Sequence, residues 1–95
     1  FLVHARIPTE AGNKMVQDPE LIKKMEDYIR KVRAEAVYIA EFDGDRSVLF
    51  VVDIPTADML PLVTEPLWQG FGAKVELHPA MVPDDLKKAL QSMPR

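Results

Sequence analysis

The sequence contains no cysteine, which excludes disulfides, thiolate nucleophiles and cysteine-ligated metal sites. It has only 4 glycines, and none of them belongs to a phosphate-binding loop or a nucleophile elbow motif. No apolar run approaches the roughly 18 residues that span a bilayer, and no signal sequence is recognisable. We therefore expect a cytoplasmic protein that does not contact a membrane.

An excess of basic residues is also missing, because 12 basic side chains stand against 15 acidic ones and give a net charge of −3. This charge repels phosphate backbones, so nucleic acid is not an expected partner. RNA-recognition motifs share the topology derived below, but the third predicted strand lacks their glycine-aromatic pattern, and its Phe50 faces the helices. What the sequence does contain is 47% apolar residues, enough for one compact domain over residues 1–95.

Hydrophobic periodicity predicts four strands and three helices. The strands are expected at 1–8, 36–42, 47–54 and 73–78, and the helices at 18–34, 55–70 and 83–92. Asp18 before a proline is a strong helix start, whereas Pro66 is expected to kink or split the second helix. The segment 9–17 has no clear period and contains a turn signal, so it is predicted to be a long loop.

The order strand, helix, strand, strand, helix, strand is the split β-α-β arrangement of ferredoxin-like domains. Right-handed crossovers then give a four-stranded antiparallel sheet with the order 4-1-3-2, followed by an extra C-terminal helix. The segment 43–46 is interpreted as the turn of a hairpin that places Phe42 opposite Ser47. The predicted fold class is therefore α+β.

The two faces of this sheet differ in composition. One is wholly apolar and is expected to pack against both helices: Val3, Ala5, Ile7, Val37, Ile39, Val48, Phe50, Val52, Ile54, Val75 and Leu77. The other mixes Leu2, Tyr38, Ala40, Phe42, Leu49 and Val51 with His4, Arg6, Asp53, Lys74, Glu76 and His78. Such a mixed face is too apolar to remain in water, so a second copy is expected to cover it in a two-fold homodimer that encloses a cavity.

The segments IPTEAGN at 7–13, TEPLW at 64–68 and VELHPAMVPDDL at 75–86, with the element order, resemble the dimeric α+β barrel superfamily. Within it, the chain is most similar to a family of small uncharacterised bacterial proteins and distantly similar to muconolactone isomerase. The resemblance implies a homodimer or higher oligomer with a small-molecule site between the sheet and its helices or the partner. No catalytic motif of the superfamily's isomerases or cofactor-independent monooxygenases aligns with this chain.

Antiparallel pairing is expected to bring four titratable residues together, namely His4, Asp53, Glu76 and His78. A histidine beside carboxylates can shuttle protons near neutral pH, so these are the predicted catalytic residues. Isomerisation or proton abstraction next to a carbonyl suits them and needs no cofactor. The alternative is that they form only hydrogen bonds across an interface. No metal site is predicted, because the ligands are dispersed over three strands without a recognised spacing.

Four further residues are predicted to bind a substrate. Arg6 and Asn13 would hold a carboxylate, since a guanidinium offers a bidentate fork, or Arg6 instead forms a salt bridge across the interface. Tyr38 and Trp68 would line a cavity for a flat ligand, although aromatic residues at such positions are more often core. The expected function is binding of a small organic molecule, with cofactor-free isomerisation or oxidation. The alternative is a non-catalytic ligand-sensing or assembly module.

Overall fold

The structure, a computed structural model that describes residues 1–94, contains four strands and four α-helices within that range. In chain order they are β1 Leu2–Ile7, α1 Thr9–Gln17, α2 Pro19–Lys31, β2 Ala36–Phe42, β3 Asp45–Val51, a 3₁₀ turn Ala57–Met59, α3 Leu60–Phe71, β4 Lys74–His78 and α4 Pro83–Ser92. The predicted α+β class is confirmed.

The four strands form one antiparallel sheet with the order β2-β3-β1-β4. This is the predicted order 4-1-3-2 read from the other edge, so the arrangement is compatible with a ferredoxin-like fold. β1 lies in the centre and pairs with β3 on one side and β4 on the other. It is the strand whose side chains meet residues from both neighbours.

Strict alternation along β1 separates the two faces of the sheet. Val3, Ala5 and Ile7 are buried beneath the helices, while the side chains between them point to the opposite, helix-free face. The core on the helix side combines the strand residues Val3, Ala5, Ile7, Val48 and Phe50 with Val52, Ile54, Met25, Tyr28, Val63, Leu67, Phe71 and Ala73. The apolar face predicted from the sequence is therefore confirmed for the two central strands.

The hairpin between β2 and β3 is tighter than predicted. Phe42 pairs with Asp45, not with Ser47, and only Asp43 and Gly44 lie between the strands. Both have positive φ, 53° and 85°, which is the conformation of a two-residue type I′ turn. The predicted pairing was wrong by two residues, and because a shift of two preserves the pleat, each side chain still lies on the predicted face.

The segment 9–17 is not a loop but the helix α1, so the loop prediction was wrong. Its apolar residues Ala11 and Met15 are one turn apart and pack against the core. Gly12 is buried, and a Cβ there would lie 2.7 Å from the Arg46 guanidinium nitrogen. Packing of this short apolar side on the sheet overrides the weak helix propensity of glycine and asparagine.

The other helices begin largely where the sequence indicates. The Asp18 carboxylate accepts a hydrogen bond of 3.0 Å from the Glu20 backbone N–H and caps α2, as predicted. α3 continues without interruption through Pro66, contrary to the expected split. The carbonyl that Pro66 leaves without a partner belongs to Leu62, on an exposed part of the helix where water can bond to it. None of the helices in residues 1–94 is both long and apolar enough to cross a membrane.

The helices do not cover the whole sheet, which corrects the prediction for β2. Val37 and Ile39 lie on the helix side but remain exposed, Ile39 by 82%. The helix layer is centred elsewhere, because Tyr28 of α2 meets Phe50 of β3 edge-on with ring centroids 6.0 Å apart. β2 is therefore an edge strand with apolar side chains exposed on both faces.

Candidate functional site

Three of the four predicted catalytic residues lie together on the helix-free face of the sheet. His4 on β1 is paired in register with Glu76 on β4, and His78 follows Glu76 on the same face of that strand. The Glu76 carboxylate oxygen Oε2 is 3.8 Å from His4 Nδ1 and 3.2 Å from His78 Nε2. We call these three residues, with Ser47, the sheet-face cluster.

Ser47 forms a hydrogen bond with the second nitrogen of the His4 ring. Its hydroxyl lies on the neighbouring strand β3, 3.0 Å from His4 Nε2, and the serine side chain is completely buried. Because serine is small, it leaves room above β3 for two rings, and His4 and Phe42 pack there with centroids 4.5 Å apart. Ser47 is a neighbour of His4 that sequence reasoning missed, since their contact runs diagonally between β1 and β3, where His4 is paired with Leu49 and Ser47 with Arg6.

The sheet-face cluster is a chain of polar groups that runs from a buried to an exposed end. Ser47 is buried, the His4 side chain is 15% exposed, and the Glu76 side chain is 64% exposed. A burial of this depth excludes Ser47 as a nucleophile for an external substrate, although the order serine, histidine, carboxylate resembles a triad. A molecule on this face meets Glu76 first, and the His4 ring lies behind it, with Nδ1 3.8 Å from Glu76 Oε2.

Arg6 lies on the same face, but its guanidinium is engaged by carboxylates of the chain itself. Its Nη1 is 3.1 Å from Asp43 Oδ2, and its Nε is 3.5 Å from Asp45 Oδ2. The Nε atom is buried without a well-formed hydrogen bond. Two acids of the hairpin therefore already occupy the positions that a substrate carboxylate would take.

Asn13 is not near Arg6, because α1 lies on the other side of the sheet. Its side-chain oxygen instead accepts a hydrogen bond of 3.1 Å from Arg46, which is paired with Ile7 on the helix side. Arg46 was not singled out in the sequence, where it appears only as the last residue of the predicted turn. The expected Arg6–Asn13 pair is thus replaced by an Arg46–Asn13 pair that ties α1 to β3.

The two aromatic residues predicted to line one cavity lie on different surfaces. Tyr38 is on β2, on the helix-free face opposite Leu49, and is 68% exposed. Trp68 is on the exposed side of α3, on the helix layer. They do not share a pocket.

A cavity of about 610 Å³ opens at the end of the sheet, where β3 stops and α2 ends. We call it the end cavity. Its walls are the last turn of α2, the segment 52–55 after β3, and the 3₁₀ turn with the first half of α3. Its lining residues are Tyr28, Lys31, Val32, Arg33, Val52, Asp53, Ile54, Pro55, Met59, Pro61, Leu62, Val63, Glu65 and Pro66. Most of these groups are apolar, with a few charged groups among them.

Asp53, the fourth predicted catalytic residue, lines the end cavity and not the sheet-face cluster. β3 ends at Val51, and Val52 still exchanges backbone hydrogen bonds of 3.0 and 2.9 Å with Phe1. Asp53 follows this last pair and has no strand partner within residues 1–94. Two cations, Lys31 and Arg33, line the same cavity, and Glu65 adds a second anion. The end cavity therefore combines an apolar interior with two charges of each sign.

Tyr28 forms the inner wall of the end cavity. Its hydroxyl donates a hydrogen bond of 2.6 Å to the Val63 carbonyl and joins α2 to α3. Burial raises the pKa of the Tyr28 phenol, because the charged phenolate loses hydration in this apolar setting. Tyr28 thus stays a neutral donor at physiological pH and fixes the distance between the two helices that frame the cavity.

Neither region assembles a metal site. In the part of the chain that the structure describes, no group of three or more histidine, aspartate or glutamate side chains is placed to hold a metal ion. The sheet-face cluster offers a carboxylate and imidazoles for proton transfer, and the end cavity offers volume and apolar contact. The two lie on opposite sides of the sheet end and are separate sites.

Comparison with known proteins assigns no family. No known protein family, curated protein or solved structure matches the chain. The similarity to the dimeric α+β barrel superfamily and to muconolactone isomerase therefore stays a prediction from sequence segments, and what is established is an α+β fold with a four-stranded antiparallel sheet.

Proposed function

We propose that the protein binds a small organic molecule in the end cavity. The observation that carries this proposal is the cavity itself, about 610 Å³ in volume and lined mainly by apolar side chains. Ligand pockets in proteins have volumes of roughly 300–1,000 Å³ and combine apolar walls with a few polar groups that orient the ligand. The site lies between the sheet end and its helices.

The lining indicates a ligand with an apolar body and one acidic group. Val32, Val52 and Ile54 offer contact to a ring or short aliphatic chain, and burying that surface contributes about 25 cal/mol per Å². Arg33 and Lys31, at the end of α2, provide positive charge for a carboxylate. Aromatic carboxylic acids fit this description, and aromatic lactones share the apolar body without the acidic group.

A cavity-filling substitution tests the proposal. Met59 lines the cavity and is partly exposed, so Met59→Trp is expected to fold while occupying the space of a ligand. Benzoate, phenylacetate and aromatic lactones are screened by thermal shift, since a bound ligand stabilises the state that it binds. We expect at least one of these compounds to raise Tm, and Met59→Trp to weaken its binding by at least about tenfold, or about 1.4 kcal/mol.

The control for this test is Met81→Trp, which makes the same exchange at an exposed position outside the cavity. It should bind the compound as the unchanged chain does. Equal binding by Met59→Trp, or no shift with any compound of the panel, would contradict ligand binding in the end cavity.

We also propose, as a second function, proton transfer at the sheet-face cluster within a homodimer. The observation that favours it is the engagement of both His4 ring nitrogens, by Ser47 and by Glu76, in a largely buried ring. A second copy over the mixed face would desolvate Glu76, which could then remove a proton next to a carbonyl and return it to another carbon. Such an isomerisation needs no cofactor.

The isosteric change Glu76→Gln tests this second function. It keeps a hydrogen-bonding side chain at the position but removes the base, so deuterium exchange into the α-carbon of a lactone, followed by NMR, should fall at least about tenfold. Glu26→Gln, on the solvent-facing side of α2, is the matched control. If exchange in both variants equals that of the unchanged chain, the cluster is an assembly feature, and the protein is better described as a non-catalytic ligand-sensing or assembly module.

A further inference from the structure

The C-terminal helix α4 has an apolar side that no other part of residues 1–94 buries. No residue between Pro83 and Ser92 is buried, and Leu86 and Leu90 are exposed one turn apart. Val82 before the helix and Met93 after it continue the same stripe at helical spacing. An amphipathic helix of ten residues is marginal on its own in water, so its stability depends on a surface that accepts this stripe.

The helix side of β2 is a second uncovered apolar surface of the same chain. Val37 and Ile39 stand side by side there, in the part of the sheet that α1, α2 and α3 leave bare. Glu35 precedes them and Glu41 follows them on the same face, and both are exposed. An edge strand of this kind, apolar and without proline or lysine, usually acquires a partner.

We propose that α4 of one copy packs on the helix side of β2 in a second copy of the chain. Leu86 and Leu90 are separated by about 6 Å along the helix, and Val37 and Ile39 by about 6.8 Å along the strand, so the two pairs match. Lys87 and Lys88 flank the helix stripe, and the two glutamates flank the strand pair. Size and charge therefore both favour this contact.

A second copy is the favoured partner because α2 lies between α4 and β2 of the same chain. β4 and β2 are the two edges of the sheet, three strand spacings or about 14 Å apart. Between them on the helix side lies α2, whose Tyr28 packs on Phe50 of β3. Within one chain, the segment after His78 would have to carry α4 over this helix, which is about 10 Å thick, before Leu86 and Leu90 could meet β2.

The proposed contact is compatible with a dimer in which the two mixed faces meet. A two-fold axis parallel to the strands reverses the lateral order of the second sheet, so its β4 edge lies opposite β2 of the first. The α4 that follows this β4 then emerges beside the β2 edge that it would cover. To cover Val37 and Ile39, that α4 has to pass around the β2 edge from the second sheet to the outer side of the first. The contact does not depend on ligand binding in the end cavity.

Engineered cysteines test the contact directly, because the natural chain has none and every disulfide formed reports a designed pair. Ile39→Cys and Leu90→Cys are both at exposed positions, so each chain is expected to fold, which circular dichroism checks. The two single variants are mixed and oxidised. We expect the band at twice the 10.7 kDa chain mass on a non-reducing gel to be much stronger for the mixture than for either single variant oxidised alone.

Matched mixtures determine whether the disulfide is specific. Leu62→Cys, at a leucine on α3 that is more exposed than Leu90, replaces Leu90→Cys as the control and should cross-link to Ile39→Cys at least about tenfold less. The double variant Ile39→Cys/Leu90→Cys should give dimers, while a fast-migrating monomer with an internal disulfide would show that α4 covers its own chain and would overturn the proposal. Predominant Ile39–Ile39 disulfides would overturn it in favour of direct pairing between two β2 edges.

Discussion

Tyr28 is the residue at which the core, the end cavity and the helix layer meet. Its ring packs against Phe50 of the sheet, and its hydroxyl bonds to the Val63 carbonyl of α3. Burial raises its pKa above the ordinary value of 10.0. The folded chain therefore keeps the phenol proton at pH values at which the unfolded chain loses it, and stability from Tyr28 is complete below pH 10 and lost as the pH rises further.

Replacing Tyr28 with phenylalanine should remove this pH dependence along with one buried hydrogen bond. At pH 7 we expect the free energy of unfolding of Tyr28→Phe to fall by about 1 kcal/mol, the usual contribution of a neutral hydrogen bond. Above pH 10 the difference between the two chains should shrink, because only the unchanged chain is destabilised by ionisation of this phenol in its unfolded state. Urea unfolding at pH 7 and pH 10.5 measures both values.

Tyr38→Phe provides the control, since this tyrosine is exposed and its hydroxyl has no partner within residues 1–94. It should leave the free energy of unfolding unchanged at both pH values. If the difference in the free energy of unfolding between the unchanged chain and Tyr28→Phe stayed constant from pH 7 to pH 10.5, burial would not raise the pKa of Tyr28 as described.

Among the predicted catalytic residues, the sequence predicted the position of some correctly and of Asp53 wrongly. His4 and Glu76 belong to paired strands, so antiparallel geometry brings them together from the pattern alone. Asp53 was assigned to the same cluster because strand character continues to Ile54 in the sequence, but the last backbone pair with the β1 segment is Val52 with Phe1. Asp53 lies beyond that pair and lines the end cavity instead.

At the scale of elements, hydrophobic alternation predicted the existence of every strand, and the capping signal at Asp18 predicted the start of α2. They failed for α1, whose apolar side has only Ala11 and Met15 and is too short to give a clear period. Its helical state depends on contact with the sheet, which a local pattern does not contain. The hairpin was predicted correctly except for its register, because Asp43-Gly44 can be the whole turn or the first half of a longer one.

The exposure of β2 could not be predicted from alternation either. Val37 and Ile39 have the same spacing and residue type as the buried pair Val48 and Phe50 on the adjacent strand. What separates the two pairs is the lateral position of α2, set by the packing of Tyr28 on Phe50. A sequence pattern predicts which face of a strand is apolar, and the tertiary packing determines whether that face is covered.

The dimensions of the whole molecule show how far α4 stands apart. The radius of gyration is 15.6 Å, against about 12 Å expected for a compact domain of this length. The longest extent, 55 Å, is about twice the next, 28 Å. A chain whose last helix buries nothing has this shape, so the folded unit that carries the sheet-face cluster and the end cavity should not require α4.

A chain that ends at Ala80 should therefore fold as stably as the full chain but dimerise more weakly. Because no residue of α4 is buried, we expect the free energy of unfolding, measured in urea at concentrations where the chain is monomeric, to change by less than about 0.5 kcal/mol. At higher concentrations, sedimentation should show that the shortened chain, which keeps the mixed face but lacks α4, dimerises at least about tenfold more weakly than the full chain. The variant Gln91→Ala, on the polar side of α4, should still dimerise. A loss of several kcal/mol in the monomer would contradict this independence, because it would require α4 to pack against its own core.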